Sequence, residues 1–369
     1  MARIVRAELA LVDLKPMTQR TDAIQSFVSQ ETPILTLTDD EGYSGTGYSY
    51  TIGSGGSSIV ALLRHHLLPR VIGMDTETLE ANWRSLLFGM HALAVGPVSS
   101  LALAAIDTAF WDLRCIRAGV PLHRAIGGAH DRLPVYTTEG GWLHLPADDL
   151  VEDAVRMRDR GFRGAKLKIG KPHRMEDYER LRAVRAAVGD TFELMVDANQ
   201  GLRLDDAERR SRALGELDLA WIEEPLPADD IGAHARLAAA SPVPIAIGES
   251  LYSLSQFKDY LHAGACSVVQ VDVARIGGIT PWLKVAHLAE AYNVPVAPHF
   301  LMELHVALAC GVPNGQWVEY IPQLESITTT QLEVRDGYAY PSARPGIGID
   351  WDWDAIGVKQ QPEPLVSVS

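Results

Sequence analysis

Cysteine is scarce: Cys115, Cys266 and Cys310 are the only three in 369 residues, far apart and without a C-x-x-C pair. A disulfide framework or a zinc ribbon is thereby excluded, and the three read as reduced structural thiols in a reducing compartment. No apolar run approaches the roughly 18 residues of a membrane span. The N-terminal MARIVRAELALVDL alternates apolar and polar residues and lacks the apolar stretch and cleavage site of a secretory signal, so a cytoplasmic protein is expected. Basic charge is also in deficit, giving a net charge of −14. This argues against nucleic acid or an anionic membrane as partner but leaves an anionic substrate open, because a site's own lysines and metal set its local field. No H-E-x-x-H, G-x-S-x-G or P-loop occurs; Gly47 to Gly56 is a weak phosphate-loop lookalike that reads better as a mobile lid. Apolar residues at 47% and charged residues at 22% describe an ordinary globular chain, long enough for two domains.

Residues 1 to about 130 predict an α+β domain. Ile4 to Leu14 alternates as a strand, and Pro33–Thr38 and Tyr43–Tyr50 flank Asp39-Asp40-Glu41-Gly42 as a hairpin. Met17 to Gln30 and Gly53 to Ser58 read as loops. Helices are expected over 57–70, 75–90 and 97–118, the last apolar nearly all round and therefore buried. From 131 to 340 the pattern changes. Eight short apolar runs, Leu133–Thr138, Ala165–Ile169, Glu193–Ala198, Ala220–Glu224, Pro244–Gly248, Ser267–Val271, Pro295–Pro298 and Trp317–Tyr320, are separated by helical patterns. Examples are Leu150–Arg160, Glu176–Val188, Asp205–Leu214 and Thr280–Tyr292. Such alternation predicts an α/β fold with a parallel sheet, and eight units favour a closed (β/α)8 barrel of the TIM type over an open doubly wound sheet. Residues 341–369 are expected to return to the N-terminal domain and complete it.

The ends of the predicted strands carry the chemistry. Asp197, Glu223 and Glu249 each close one strand and recur at intervals of 26 residues. In a barrel these positions meet at the C-terminal mouth. Three carboxylates held together need a cation, and oxygen-only donors suit a hard divalent ion such as Mg²⁺, one per subunit. Glu224 should face away from Glu223 by strand alternation. Lys166 and Lys168 share a strand face, and each should depress the other's charged form, bringing one toward neutrality as a general base. Asp272 and His299 end adjacent strands, where the carboxylate can orient the imidazole and raise its pKa. His305 and His262 are candidates for ordinary core histidines.

The ordered set Lys166-Leu167-Lys168, VDANQ at 196–200, WIEEP at 221–225, Gly248-Glu249, Val271-Asp272 with Arg275-Ile276-Gly277-Gly278, and APHF at 297–300 resembles the mandelate racemase subgroup of the enolase superfamily. The resemblance covers nearly the whole chain and makes the N-terminal α+β domain a cap over the barrel. It implies Mg²⁺ on Asp197, Glu223 and Glu249, Lys168 as the base on one face with Lys166 tuning it, His299 with Asp272 as acid/base on the other face, Glu319 at the substrate carboxylate and Asn199 lining the site. Its shared step is abstraction of the proton next to a carboxylate, with an enediolate stabilised by metal. The run Thr137-Thr138-Glu139-Gly140-Gly141-Trp142 is similar to the polar loop of the talarate/galactarate dehydratases in that subgroup, which brings Thr138 and Trp142 to the substrate. Family habit adds a homo-oligomer, often an octamer.

Dehydration of an acid sugar, an aldarate or aldonate, to a 2-keto-3-deoxy acid is therefore the expected reaction. Racemisation or epimerisation of a 2-hydroxy acid shares the first step and stays open. A non-catalytic sugar-acid binding protein has no use for paired bases, and a metal-dependent hydrolase would want histidine ligands or two metals. The capping loops should select the substrate: Thr18 to Thr21, with Arg20 as candidate anchor of a distal carboxylate, and Tyr48, Tyr50 and Ser54.

Overall fold

The computed structural model describes residues 2–27, 29–93, 95–361 and 366–368. Its N-terminal part is an antiparallel sheet in the order Val366–Val368, Ile4–Asp13, Gln30–Asp39, Ser44–Tyr48, so the far end of the chain supplies an edge strand to the first. The hairpin turn forms because the Asp39 carboxylate accepts the N–H groups of Glu41 and Tyr43, and Gly42 supplies the positive φ of 88°. The stretch Met17 to Gln30 contains a small hairpin, Arg20–Thr21 with Ser26–Phe27, closed by Asp22 accepting the N–H groups of Ile24 and Gln25.

The apolar helix Pro97–Ala118 lies across the sheet, with Leu101 through Ala105 buried in one unbroken run. The approach is close. A Cβ on Gly47 would sit 2.2 Å from the Ala105 carbonyl oxygen and 2.4 Å from the Ala109 nitrogen. Backbone cannot yield as a flexible side-chain tip can, so Gly47→Ala should cost about 3 kcal/mol or more through overpacking. A fall in urea midpoint at unchanged slope is the expected readout. The expected helix 57–70 is broken into Gly56–Leu62, a π-turn at Leu63–Leu67 and Leu68–Val71, and the next begins only at Leu79. The Gly-rich stretch before them holds no free anion site, since the Glu31 carboxylate already accepts the Gly56 N–H.

Barrel strands one to six are Leu133–Thr137, Gly164–Lys168, Glu193–Asp197, Leu219–Glu223, Ile245–Ile247 and Val268–Val269, each parallel to the next. The eighth, Val318–Tyr320, pairs with the first at Val318 and Val135 and closes the ring. The seventh is shorter than expected. Only Val296 bridges its neighbours, to Val269 and Gly315, because Pro295 and Pro298 on either side have no N–H to give a ladder. All three cysteines are buried and unpaired. Among the described residues no helix is long and apolar enough to cross a membrane.

Inside the barrel, Tyr136, Met195, Trp221, Ala246, Val268 and Ala297 form a separate apolar layer. Side chains two apart on a strand share a face. Continuing from this layer toward the C-terminal mouth, Tyr136 leads to Thr138, Met195 to Asp197, Trp221 to Glu223 and Ala297 to His299. The site therefore stands directly on a packed floor.

Candidate active site

Asp197, Glu223 and Glu249 converge, each offering an oxygen within 4.8 Å of the others'. Asp197 and Glu223 are the last residues of strands three and four, in register with each other. Glu249 reaches the same place differently. Gly248 takes φ 152°, and a Cβ there would meet the Gln270 backbone at 2.5 Å, so only glycine permits the bend that aims Glu249 inward. Glu224 falls just beyond strand four in a left-handed conformation and stays outside the three-oxygen cluster, though buried close to it. Burial first, and then the charges of Glu249 and Asp197, push its pKa well up.

The donor set fits a hard divalent cation. Oxygens alone point inward, and Glu223 Oε1 is buried without any protein partner. Its other oxygen accepts from Lys166 Nζ at 2.8 Å and Gln270 Nε2 at 2.7 Å.

Both strand-two lysines enter the site while Leu167 packs outward into the core, as alternation requires. Lys168 Nζ donates to Asp197 Oδ2 at 2.5 Å and stands over the Trp142 ring at 5.4 Å. Lys166 Nζ bridges Glu223 and Glu319, 2.8 Å from each. The expected depression of a lysine pKa is not found. Burial does lower the pKa of Lys168, and Lys166 adds to this, but Asp197 and then Glu223 and Glu249 outweigh both and hold it above its ordinary value. Carboxylates outnumber the lysines here, so the field of the whole cluster decides, not that of the pair.

A histidine stands at the other end of the carboxylate row. His299 Nδ1 is 2.8 Å from Asp272 Oδ2, and Nε2 is 3.1 Å from Glu249 Oε2. Burial disfavours the imidazolium, but Glu249 and the Asp272 hydrogen bond overcome it and raise the pKa. Asp272 is held down at about 2: burial raises it, while the hydrogen bond and charge of His299 lower it further. Glu319 accepts from Thr138 Oγ1 at 2.6 Å and from the Phe300 N–H at 2.8 Å, besides facing Lys166. Asn199, at φ 41°, donates its N–H to Asp197 and keeps a buried, unpartnered Oδ1.

Lys166, Lys168, Asn199, Thr138, Trp142, His299, Glu249 and Glu319 line one pocket, closed by Asp22, Gln25, Phe27 and Ile52 from the cap. Arg20 does not line it. Its Nε and Nη2 donate to the two oxygens of Glu139 and Nη2 also to the Pro322 carbonyl, next to the Phe27 and Trp142 rings, so it braces the capping loop outside the pocket lining. His305 is the core histidine expected, its Nε2 accepting the Val273 N–H and burial lowering its pKa to about 4. His262 is exposed at a helix end.

Three contributors escaped the sequence reading. Gln270, two residues before Asp272 on the same face, was findable by alternation. Arg275 donates to the Glu249 carbonyl and carboxylate and to Tyr50. Tyr50, foreseen only as a capping-loop residue, donates from its hydroxyl to Asp272 Oδ2 at 2.7 Å. No spacing rule connects residues 222 positions apart. Tyr50→Phe should lower turnover about 10-fold by unseating the Asp272–His299 pair, with little change in stability. Steady-state kinetics and thermal melts on the same preparation check this.

The comparisons agree with this geometry. Residues 7–127 match the mandelate racemase / muconate lactonizing enzyme N-terminal domain model, and 149–355 match the enolase C-terminal domain-like model. The L-talarate/galactarate dehydratase of Salmonella typhimurium is 39% identical over 315 residues, 85% of this chain and 79% of the relative. The 3,6-anhydro-alpha-L-galactonate cycloisomerase of Streptomyces coelicolor is 36% identical over 356 residues, 96% of this chain and 98% of the relative. A crystal structure of the Salmonella dehydratase, liganded with Mg and L-lyxarohydroxamate, superposes with TM-score 0.95 at 36% identity, covering 100% of this chain and 95% of that one. With both domain models matched in order and the acidic triad in place at the barrel mouth, the chain belongs to the mandelate racemase subgroup of the enolase superfamily.

Proposed function

We propose that this protein is a Mg²⁺-dependent dehydratase that removes water from an acid sugar to give a 2-keto-3-deoxy acid. The observation that carries it is the placement of two nitrogen bases, Lys168 and His299, at opposite ends of one carboxylate triad. A divalent cation on Asp197, Glu223 and Glu249 would supply positive charge beside the substrate carboxylate and offset the acidic field that keeps Lys168 protonated.

The chain's own groups do the rest. Lys166 holds the substrate carboxylate, kept in position by Glu319, which accepts from three donors and so acts through Lys166 and Thr138. Lys168 takes the α-proton from one face. From the other, His299 gives a proton to the β-hydroxyl; the C–O bond breaks, water leaves, and the enol tautomerises to the 2-keto acid. Asp272 keeps the imidazole's Nε2 pointed inward. Trp142, Phe27 and Phe300 shield the exchange from bulk water.

The relatives' names include both a sugar-diacid dehydratase and a monoacid cycloisomerase, which places acid sugars first among substrates. Work in the cytoplasm as a homo-oligomer, such as an octamer, belongs to the same reading, and light scattering tests the assembly. The decisive experiment follows α-proton exchange in deuterated solvent with Mg²⁺ across a panel of acid sugars, with 2-keto acid detected by a carbonyl reagent. Exchange with keto acid is expected. Exchange yielding only the inverted stereoisomer would make the protein an epimerase, since His299 is as well placed to return a proton to carbon.

A further inference from the structure

We propose that the pocket takes a monocarboxylate, an aldonate-type acid with a neutral hydroxylated far end, and rejects the corresponding diacid. This rests on the acid-sugar reading above and narrows it.

The strand tips hold the carboxylate end, so the far end of the substrate meets the cap. There it finds Asp22 and the apolar Phe27 and Ile52, with Gln25 at the exposed rim. The cations that line the pocket, Lys166, Lys168, Arg275 and His299, all stand on the barrel side among the acids there, and among the described residues the cap adds none to the lining. Arg20, the one further cation on the capping loop, is turned behind Trp142 and matched by Glu139. A second carboxylate would thus enter a part of the pocket to which the cap brings no cation and where Asp22 is a like charge, an arrangement that selects by repulsion.

Asp22 offers something to a neutral end. Its Oδ1 is taken by the N–H groups of Ile24 and Gln25, while Oδ2 has no partner among the described residues. An ionised carboxyl oxygen accepts and cannot donate, so it suits a substrate hydroxyl and not a carboxylate.

The test compares an aldonate and an aldarate of the same chain length and configuration, which differ only in whether the far carbon is CH₂OH or a carboxylate. With Mg²⁺, kcat/KM for α-proton exchange should favour the aldonate by roughly 100-fold or more. Calorimetric binding to the Lys168→Ala protein should rank the two in the same order. Asp22→Asn should narrow the gap by improving the aldarate, and Gln25→Arg, which adds a cation at an exposed position, should narrow it further. Equal or better performance of the aldarate, in turnover or in binding, overturns the proposal. If no acid exchanges its proton, the dehydratase reading fails, and the binding order alone still decides between monoacid and diacid.

Discussion

Lys168→Ala should lower turnover and α-proton exchange by about 1000-fold, in line with removal of a positioned general base. Its strand neighbour on the same face is a poor substitute, since Lys166 is pinned between Glu223 and Glu319. His299→Asn should be comparably damaging to dehydration, because it removes the imidazole placed at the other end of the triad. The two variants should nevertheless differ. A substrate whose α-proton points to the Lys168 side should keep slow exchange in His299→Asn, and its α-epimer should keep it in Lys168→Ala. Proton exchange followed by NMR on both epimers reads this directly. Equal losses on every substrate would mean that the bases do not work from two faces. Melting curves guard against a trivial cause, since removing a buried lysine leaves Asp197 without its closest countercharge.

Chelation should abolish activity completely and reversibly, with Mg²⁺ restoring it. The chelated protein should remain folded, unlike a zinc finger, because Lys166, Lys168, Arg275 and His299 already stand against the acids in the cluster. Excess Mg²⁺ at about 100 times its dissociation constant should then add about 2.7 kcal/mol of stability by mass action. Glu223→Ala should lose both responses. A Mg²⁺-induced rise in melting temperature that survives Glu223→Ala would place the cation elsewhere.

The recurrence of Asp197, Glu223 and Glu249 was readable because a barrel repeats one unit per strand, so sequence interval maps onto depth in the mouth. Alternation likewise settled that Lys166 and Lys168 share a face and that Glu223, not Glu224, joins the triad. The same rule failed at Glu249, which needs the bend at Gly248, and at strand seven, which its prolines reduce to a single bridging residue.

Charge was less legible than position. Taken in isolation, a lysine pair depresses its own pKa. Folded, Lys168 sits closer to Asp197 than any pairwise argument along the strand could show, and its pKa rises. Arg20 is the parallel case, a plausible anchor in the sequence that the fold commits to Glu139 and the Pro322 carbonyl, 119 and 302 residues away.

The sequence by itself determined the two-part architecture, the three acids that converge and the lysine and histidine side chains that flank them, because these follow from periodicities of two residues along a strand and one unit around a barrel. Only the tertiary structure decided which cap residues reach the chemistry. Tyr50 touches Asp272 and Asp22 overhangs the pocket because two domains pack face to face, and contact between surfaces distant in the chain leaves no period in the sequence to read.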